Sequence, residues 1–183
     1  MFKSLKRGSK KKKVKKEVLE KKVVRKDPKR AEKEAVAMEM YETALKEFER
    51  RLGDSTTYSD DLQKIGEEYL GKNNFVGVLC SDQLDIAERA AREGICYSIC
   101  NLDTTAQPGS HWVGLFATSD KGLLVYDSFG RCHRKILPFG SAMVLENTDM
   151  DKEQRDSERN CGARTLAWLM VCLCGGPGLG KLI

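Results

Sequence analysis

Histidine is scarce in this sequence: only His111 and His133 carry an imidazole among 183 residues. The search for a histidine that acts as an acid or base is therefore limited to two candidates. The chain also lacks any run of about 18 apolar residues, which excludes a membrane-spanning helix. Its lysine-rich N-terminus contains no apolar stretch of the secretory type, so we expect no signal peptide.

Cysteine, by contrast, is present seven times. An odd number of cysteines without a secretory address predicts free thiols rather than a disulfide framework. We therefore expect the protein to work in a reducing compartment and not to be secreted.

Charge is distributed unevenly along the chain. Residues 1–34 have a net charge of +11 and residues 35–183 a net charge of −6, so the overall +5 conceals a basic arm on an acidic body. Residues 1–27 are too poor in apolar side chains to offset chain entropy and are expected to be disordered. The arm contains a cluster of six lysines: Lys10, Lys11, Lys12, Lys13, Lys15 and Lys16. Such a cluster is typical of nuclear localisation or of nonspecific contact with nucleic-acid phosphates, and the alternative is a solubilising tail.

A single amphipathic helix is predicted over residues 28–53. Asp27 can cap it, Pro28 suits its first position and Gly53 its end. Apolar side chains recur between them at intervals of three and four residues: Ala31, Ala35, Met38, Tyr41, Leu45, Phe48 and Leu52. We expect this stripe to dock on the body, with dimerisation through it as the alternative.

The pattern of residues 54–183, the body of the protein, predicts an α+β domain. Helical patterns over 59–71 and 82–93 flank a short apolar run at 75–79. Strand-like runs follow at 95–102, 111–117, 123–127 and 142–146, with a hairpin signal at 119–122. A strongly apolar helix over 164–174 should be buried and should stop at Gly175-Gly176-Pro177. Helices, then a meander of strands, then a core helix favour an antiparallel sheet in an α+β fold.

Three chemically active side chains lie where this arrangement could bring them together. If the strands at 111–117 and 123–127 pair antiparallel, Asp127 returns close to His111, where a carboxylate can orient the imidazole. Cys161 directly precedes the core helix, whose N-terminal dipole favours a thiolate. Gly162 would leave room for a substrate backbone. Gln154, seven residues before the cysteine, could donate to an oxyanion together with the backbone N–H of Cys161.

The remaining candidates point to ordinary structural roles. His133 lies among Arg131, Arg134 and Lys135, so we expect it in a solvated loop. Zinc binding by Cys132 and His133 with Cys96 and Cys100 would need an unusual ligand spacing, and we expect no metal.

The sequence resembles the adenovirus-type (adenain-like) cysteine proteases and, more distantly, the SUMO- and NEDD8-specific proteases. The resemblance covers roughly residues 75–173 and rests on the order and spacing of four motif positions. Sixteen residues separate His111 from Asp127 and seven separate Gln154 from Cys161. The matching stretches are Ser110-His111-Trp112-Val113, Tyr126-Asp127-Ser128-Phe129-Gly130, Gln154 and Asn160-Cys161-Gly162.

This resemblance implies a papain-like α+β fold over residues 54–183, with the histidine preceding the cysteine and the core helix starting at the nucleophile. It implies Cys161 as nucleophile, His111 as base, Asp127 as its orienting acid and Gln154 as oxyanion donor. Trp112 would shelter the cysteine–histidine pair. In the viral branch it also implies DNA as an activator, with no other cofactor required, and a location in the host nucleus and the virion.

Several functions fit these expectations. The first is an endopeptidase that cleaves viral precursor proteins, with DNA held by the basic arm. The alternatives are an isopeptidase acting on ubiquitin-like conjugates, a non-enzymatic nucleic-acid-binding virion protein, and an acetyltransferase that uses a similar side-chain set. No acyl-CoA signal supports the last of these.

Overall fold

The computed structural model describes residues 27–53, 57–94, 97–118, 122–138 and 144–183. Apart from Asp27, the predicted basic arm lies outside these residues. The first helix, α1, spans Pro28–Leu52, and a side-chain oxygen of Asp27 accepts the Lys29 N–H at 3.1 Å. This cap and the proline at the first position explain where the helix begins.

The apolar stripe of α1 differs from the predicted one in its N-terminal half. Tyr41 and Phe48 are buried, as their spacing indicates, but Ala31, Ala35 and Met38 are exposed. The stripe in contact with the body starts only at Ala37. Periodicity identified the helix, but it could not show how much of the helix the body covers.

The body follows the predicted order of elements, with one further short helix between the last two strands. α2 spans Ser59–Gly66 and continues as one π-helical turn, Glu67–Gly71; β1 spans Phe75–Cys80. A 3₁₀ turn, Ser81–Gln83, leads into α3, Leu84–Glu93, and then β2, Tyr97–Asn101. β3 spans Trp112–Ala117, β4 Leu123–Tyr126, α4 His133–Ile136, β5 Leu145–Asn147 and α5 Cys161–Gly180.

The five strands form one mixed sheet in the order β1-β2-β3-β4-β5, rather than the antiparallel sheet expected from the sequence. The three central strands pair antiparallel, but β1 pairs parallel with β2 and β4 pairs parallel with β5. Each parallel pair has a helix between its strands, α3 in the first and α4 in the second. These connections return the chain to the same end of the sheet before the next strand begins, which makes the pair parallel. The α+β class is unchanged by this correction.

Helices cover both faces of the sheet. α5 packs on one face, with Trp168 stacked on Tyr126 of β4 at a centroid distance of 5.3 Å, and α1 packs against α5. α3 covers the other face through Leu84 and Ala87. The side chains of successive residues in β3 and β4 therefore enter two different cores.

The apolar helix α5 starts at Cys161, three residues before the stretch predicted from its apolar run. Its regular geometry breaks at Gly176, with φ of 69° and Pro177 next, which is the predicted stop. The chain then packs back: the Gly180 carbonyl accepts the Trp168 indole N–H at 2.9 Å, and Ile183 is fully buried. Among the described residues, no helix is both long enough and apolar enough to cross a membrane.

Candidate active site

Cys161 occupies the first turn of α5 at the edge of a cleft. Its thiol is half-buried and hydrogen-bonds with the ring of His111. Burial raises the pKa of the Cys161 thiol, but the His111 hydrogen bond and charge, with the backbone N–H groups of Trp112 and Gly162, lower it below its ordinary value overall. The site thus favours a thiolate beside an imidazolium.

His111 lies immediately before β3 and is buried. Its Nε2 lies 2.7 Å from Oδ1 of Asp127, so Nδ1 is the ring nitrogen left to face the thiol. Burial lowers the pKa of His111, but the hydrogen bonds to Asp127 and Cys161 outweigh it and raise the pKa above its usual value. The ring can therefore hold a proton between a carboxylate and a thiolate.

Asp127 follows β4 directly, and the register of β3 with β4 brings it back to His111. Gly114 pairs with Tyr126, so the residue after Tyr126 lies beside the start of β3. The Asp127 side chain is 1% exposed. Burial raises its pKa, but the hydrogen bonds from His111 and Arg131 lower it to about 2. Asp127 is therefore ionised at neutral pH and can hold the ring in one orientation.

Gln154 reaches the same cleft from the irregular segment between β5 and α5. It is buried, and its backbone N–H donates to the Ser128 carbonyl at 2.9 Å. Its side-chain oxygen Oε1 accepts the Ser128 hydroxyl at 2.6 Å, and Nε2 donates to the Glu158 carbonyl at 2.8 Å. The amide is held at both ends, and one N–H of Nε2 is left for a ligand in the cleft.

The cleft has a volume of about 370 Å³, and the four predicted catalytic residues lie at its wall or directly behind it. His111, Gln154 and Cys161 line it directly, whereas Asp127 lies behind His111. A pocket of this size admits a short extended stretch of a larger substrate. The structure thus brings together residues that lie 50 positions apart in the chain.

Trp112 and Gly162 lie next to the thiol, but Gly162 has a different role from the one expected. Trp112 lines the cleft, and its indole N–H donates to the Thr57 carbonyl at 3.3 Å. A Cβ at position 162 would lie 2.9 Å from Cγ2 of Thr57 and 3.1 Å from Cδ2 of Leu62. The room at Gly162 is therefore filled by the protein's own segment leading into α2, not left for a substrate backbone.

Three neighbours of the site in the turn after β4 were not predicted from the sequence. Ser128 holds Gln154, the Phe129 ring lies against His111 at a centroid distance of 4.8 Å, and Arg131 binds Asp127. The motif at residues 126–130 marks this turn, but a motif does not say which side chain points at which partner. Gly130 makes the turn possible: its φ is 66°, and a Cβ there would lie 2.4 Å from the Met150 carbonyl oxygen.

His133 is buried, which corrects the expected solvated loop. It starts α4, and both its backbone N–H and its Nδ1 lie within hydrogen-bonding distance of Oδ1 of Asn147, at 2.8 and 2.9 Å. Arg134 and Lys135 of this short helix are exposed, while the His133 ring packs inward. Among the described residues that line the cleft at Cys161, His133 is not included.

The other predicted sites are placed as follows. The six lysines of the basic arm and Cys96 lie outside the described residues. Within the described ranges, no group of three or more histidine, cysteine or acidic side chains is arranged to hold a metal ion. Comparison of the sequence with protein-family models finds no matching model, and comparison with curated proteins finds no significant match.

Proposed function

We propose that the chain is a cysteine peptidase that hydrolyses amide bonds through an acyl-enzyme. The observation that carries this proposal is the continuous chain of contacts from the Cys161 thiol through the His111 ring to the Asp127 carboxylate. An acid, a histidine and a thiol in this order are the parts that activate a cysteine nucleophile. The delivery of Cys161 by a helix N-terminus to groups on the sheet supports a papain-like organisation.

In the first step the Cys161 thiolate attacks the substrate carbonyl carbon. A carbon–sulfur bond forms, and the carbonyl π electrons move to oxygen. The backbone N–H of Cys161, which has no intrahelical acceptor at the first turn of α5, and the free N–H of Gln154 are the donors for this oxyanion.

Collapse of the adduct then expels the amine. The carbon–nitrogen bond breaks as the His111 imidazolium gives its proton to the leaving nitrogen, which leaves a thioester on Cys161. In the second half His111 takes a proton from water, the resulting hydroxide attacks the thioester, and the carbon–sulfur bond breaks. Asp127 stabilises the imidazolium in both halves.

The motif order that resembles adenovirus-type proteases favours the maturation of viral precursor proteins as the setting, with DNA as a candidate activator. Cleavage of ubiquitin-like conjugates uses the same chemistry and is the alternative. A panel of fluorogenic peptide amides and of ubiquitin-like C-terminal amides distinguishes these two substrate classes.

The test compares cysteine variants on that panel and with an electrophilic thiol probe. Cys161→Ala should abolish cleavage and the fast labelling at position 161, whereas Cys132→Ala and Cys174→Ala, which remove accessible thiols away from the cleft, should leave both intact. Gln154→Ala should lose about 10²–10³ in kcat. Undiminished hydrolysis by Cys161→Ala would overturn the proposal. Absence of both hydrolysis and selective labelling of Cys161 would favour the non-enzymatic alternative.

A further inference from the structure

We propose that Ser128 is a positioning residue that holds the Gln154 side-chain amide with its free N–H directed at the oxyanion. This inference rests on the proposed function. It adds a residue that acts on the reaction only through Gln154. Two adjacent residues of the turn after β4 would then have separate roles: Asp127 orients the base His111, and Ser128 orients the oxyanion donor Gln154.

Two contacts tie Gln154 to Ser128. The Gln154 backbone N–H donates to the Ser128 carbonyl at 2.9 Å, and the Ser128 hydroxyl donates to Oε1 of Gln154 at 2.6 Å. Ser128 is completely buried, so water does not compete for its hydroxyl. The backbone bond sets the position of Gln154, and the hydroxyl sets the rotation of its amide plane.

The Glu158 carbonyl completes the arrangement at the other end of the amide. It accepts one hydrogen of Nε2 at 2.8 Å, which fixes the nitrogen rather than the oxygen on that side. With Oε1 and one N–H both engaged, the plane of the amide is determined and the second N–H has a single direction. This second N–H belongs to Gln154, which lines the same cleft as Cys161.

Loss of the Ser128 hydroxyl would leave Oε1 as a buried acceptor without a donor. Unsatisfied buried acceptors are unfavourable, so the amide would gain by turning Oε1 toward water in the cleft. This rotation takes the N–H away from the oxyanion. Because the oxyanion exists only in the transition state and the adduct, the loss should appear in kcat with little change in KM.

The experiment is a double-mutant cycle on the panel substrate that the wild-type chain hydrolyses fastest. Ser128→Ala should lower kcat about 10-fold or more, but by less than the ~10²–10³ expected for removing the donor itself in Gln154→Ala. In the Gln154→Ala background Ser128→Ala should cause no further loss, since its partner is already gone. Ser128→Cys, which keeps the size but donates weakly, should fall between serine and alanine.

Two controls separate positioning from a general structural role. Ser98 is also buried, on β2, and its hydroxyl has no hydrogen-bond partner among the described residues, so Ser98→Ala should leave kcat unchanged. Alkylation of Cys161 by iodoacetamide should proceed at the wild-type rate and with the wild-type pH profile in Ser128→Ala.

The inference fails if Ser128→Ala keeps kcat within twofold of wild type, or if its loss is equally large in both backgrounds. Slower alkylation of Cys161 in Ser128→Ala would also contradict it, because Ser128 would then act through the thiol or Asp127. These outcomes leave the peptidase assignment standing. A wild-type chain that hydrolyses nothing on the panel would instead remove the proposed function, and this inference with it.

Discussion

Arg131 donates to both oxygens of the Asp127 carboxylate and lies closest to the one that His111 does not contact. Its Nε lies 2.6 Å from Oδ2 of Asp127, while Oδ1 accepts from His111 at 2.7 Å. The Arg131 side chain is 40% exposed, whereas that of Asp127 is 1% exposed. A buried carboxylate thus lies between a surface guanidinium and a buried imidazole. The positive charge of Arg131 partly neutralises Asp127, so it weakens the electrostatic stabilisation of the His111 imidazolium.

Removal of this guanidinium should therefore stabilise the protonated form of the His111 ring. In Arg131→Gln the negative charge of Asp127 is less neutralised, so the pKa of His111 should rise further. The proposed mechanism needs the protonated ring, so the basic limb of the kcat/KM profile should move to higher pH. The difference from wild type should shrink as salt rises, because Arg131 is partly exposed and its charge is screened.

Arg134→Gln is the matched control for this measurement. It removes the same charge from the same stretch, but none of the hydrogen bonds to Asp127 comes from Arg134. An unchanged basic limb in Arg131→Gln, or an equal shift in both variants, would contradict a specific role for the Arg131–Asp127 contact.

The reactivity of Cys161 should depend on His111 in a defined direction. The Cys161 thiol has a lowered pKa, so iodoacetamide should alkylate it at pH values where an ordinary thiol, with a pKa of about 8.5, is still protonated. In His111→Asn burial remains but the hydrogen bond and charge are lost. The pKa of Cys161 should then rise, and the alkylation profile should move to higher pH.

Mass spectrometry after limited alkylation reads this for each cysteine separately. Cys174 is exposed and remote from the histidine, so its modification serves as the internal control and should follow the same profile in both proteins. If His111→Asn leaves the pH profile of Cys161 alkylation unchanged, the imidazole does not affect the pKa of the thiol.

The half-buried carboxyl group of Glu153, next to Gln154 in the chain, should make the folded protein less stable as pH rises. Burial, helped by the nearby charge of Asp149, raises the pKa of Glu153 to about 7. A hydrogen bond from its own backbone N–H, the charge of Arg164 and the Tyr126 hydroxyl at 3.4 Å oppose this rise and do not cancel it. A carboxyl whose pKa is higher in the folded than in the unfolded chain binds more protons when folded. Its contribution to the free energy of unfolding is therefore full below pH about 4.5 and is lost as pH rises toward 7.

Glu153→Gln should remove this dependence. At pH 8 the variant should be more stable than wild type by on the order of 1–3 kcal/mol, and the two should converge below pH 5. Urea unfolding at a series of pH values measures the difference. Glu42→Gln, on an exposed position of α1, is the control and should track wild type. A constant difference between Glu153→Gln and wild type at every pH would contradict the prediction.

The contact of the sheet with α5 should not tolerate a methyl group at Gly114. A Cβ there would lie 2.5 Å from the Trp168 ring, and both residues are buried. Gly114→Ala should destabilise the protein by about 1–3 kcal/mol, as overpacking of a rigid aromatic core does. Gly178→Ala, where a Cβ meets nothing within 4 Å, should unfold at the wild-type temperature or slightly above. Equal melting temperatures for Gly114→Ala and wild type would show that the core can yield.

The lysine cluster of residues 10–16 predicts salt-dependent DNA binding. Six lysines on phosphates would contribute up to about −5 to the slope of log binding constant against log salt, and replacing all six with glutamine should remove that part. Replacement with arginine keeps the charge and should retain the slope in fluorescence anisotropy. If DNA also concentrates enzyme and substrate, it should accelerate cleavage at low salt. Equal rates with and without DNA at low salt would argue against such activation.

How far the sequence predicts the structure is clearest around Cys161, His111 and Asp127. The spacing of His111 and Asp127 predicts their proximity as soon as two strands pair antiparallel, and β3 and β4 do pair in that way. Cys161 could be placed at a helix start from the apolar run that follows it. His133 shows the opposite case, since its charged neighbours indicated a solvated loop, but the ring packs inward on Asn147.

The sequence by itself determined the elements and their chemistry: a capped helix after Asp27, an apolar helix behind Cys161, a basic N-terminal segment and only two imidazoles. These are properties of neighbouring residues, and local periodicity and charge express them directly. Only the tertiary structure decided that each outer strand runs parallel to its neighbour and that Gly162 makes room for Thr57. It also decided that Ser128 binds Gln154 and that Arg131 binds Asp127. Such contacts join residues far apart in the chain, or turn adjacent side chains in different directions, and packing rather than spacing selects them.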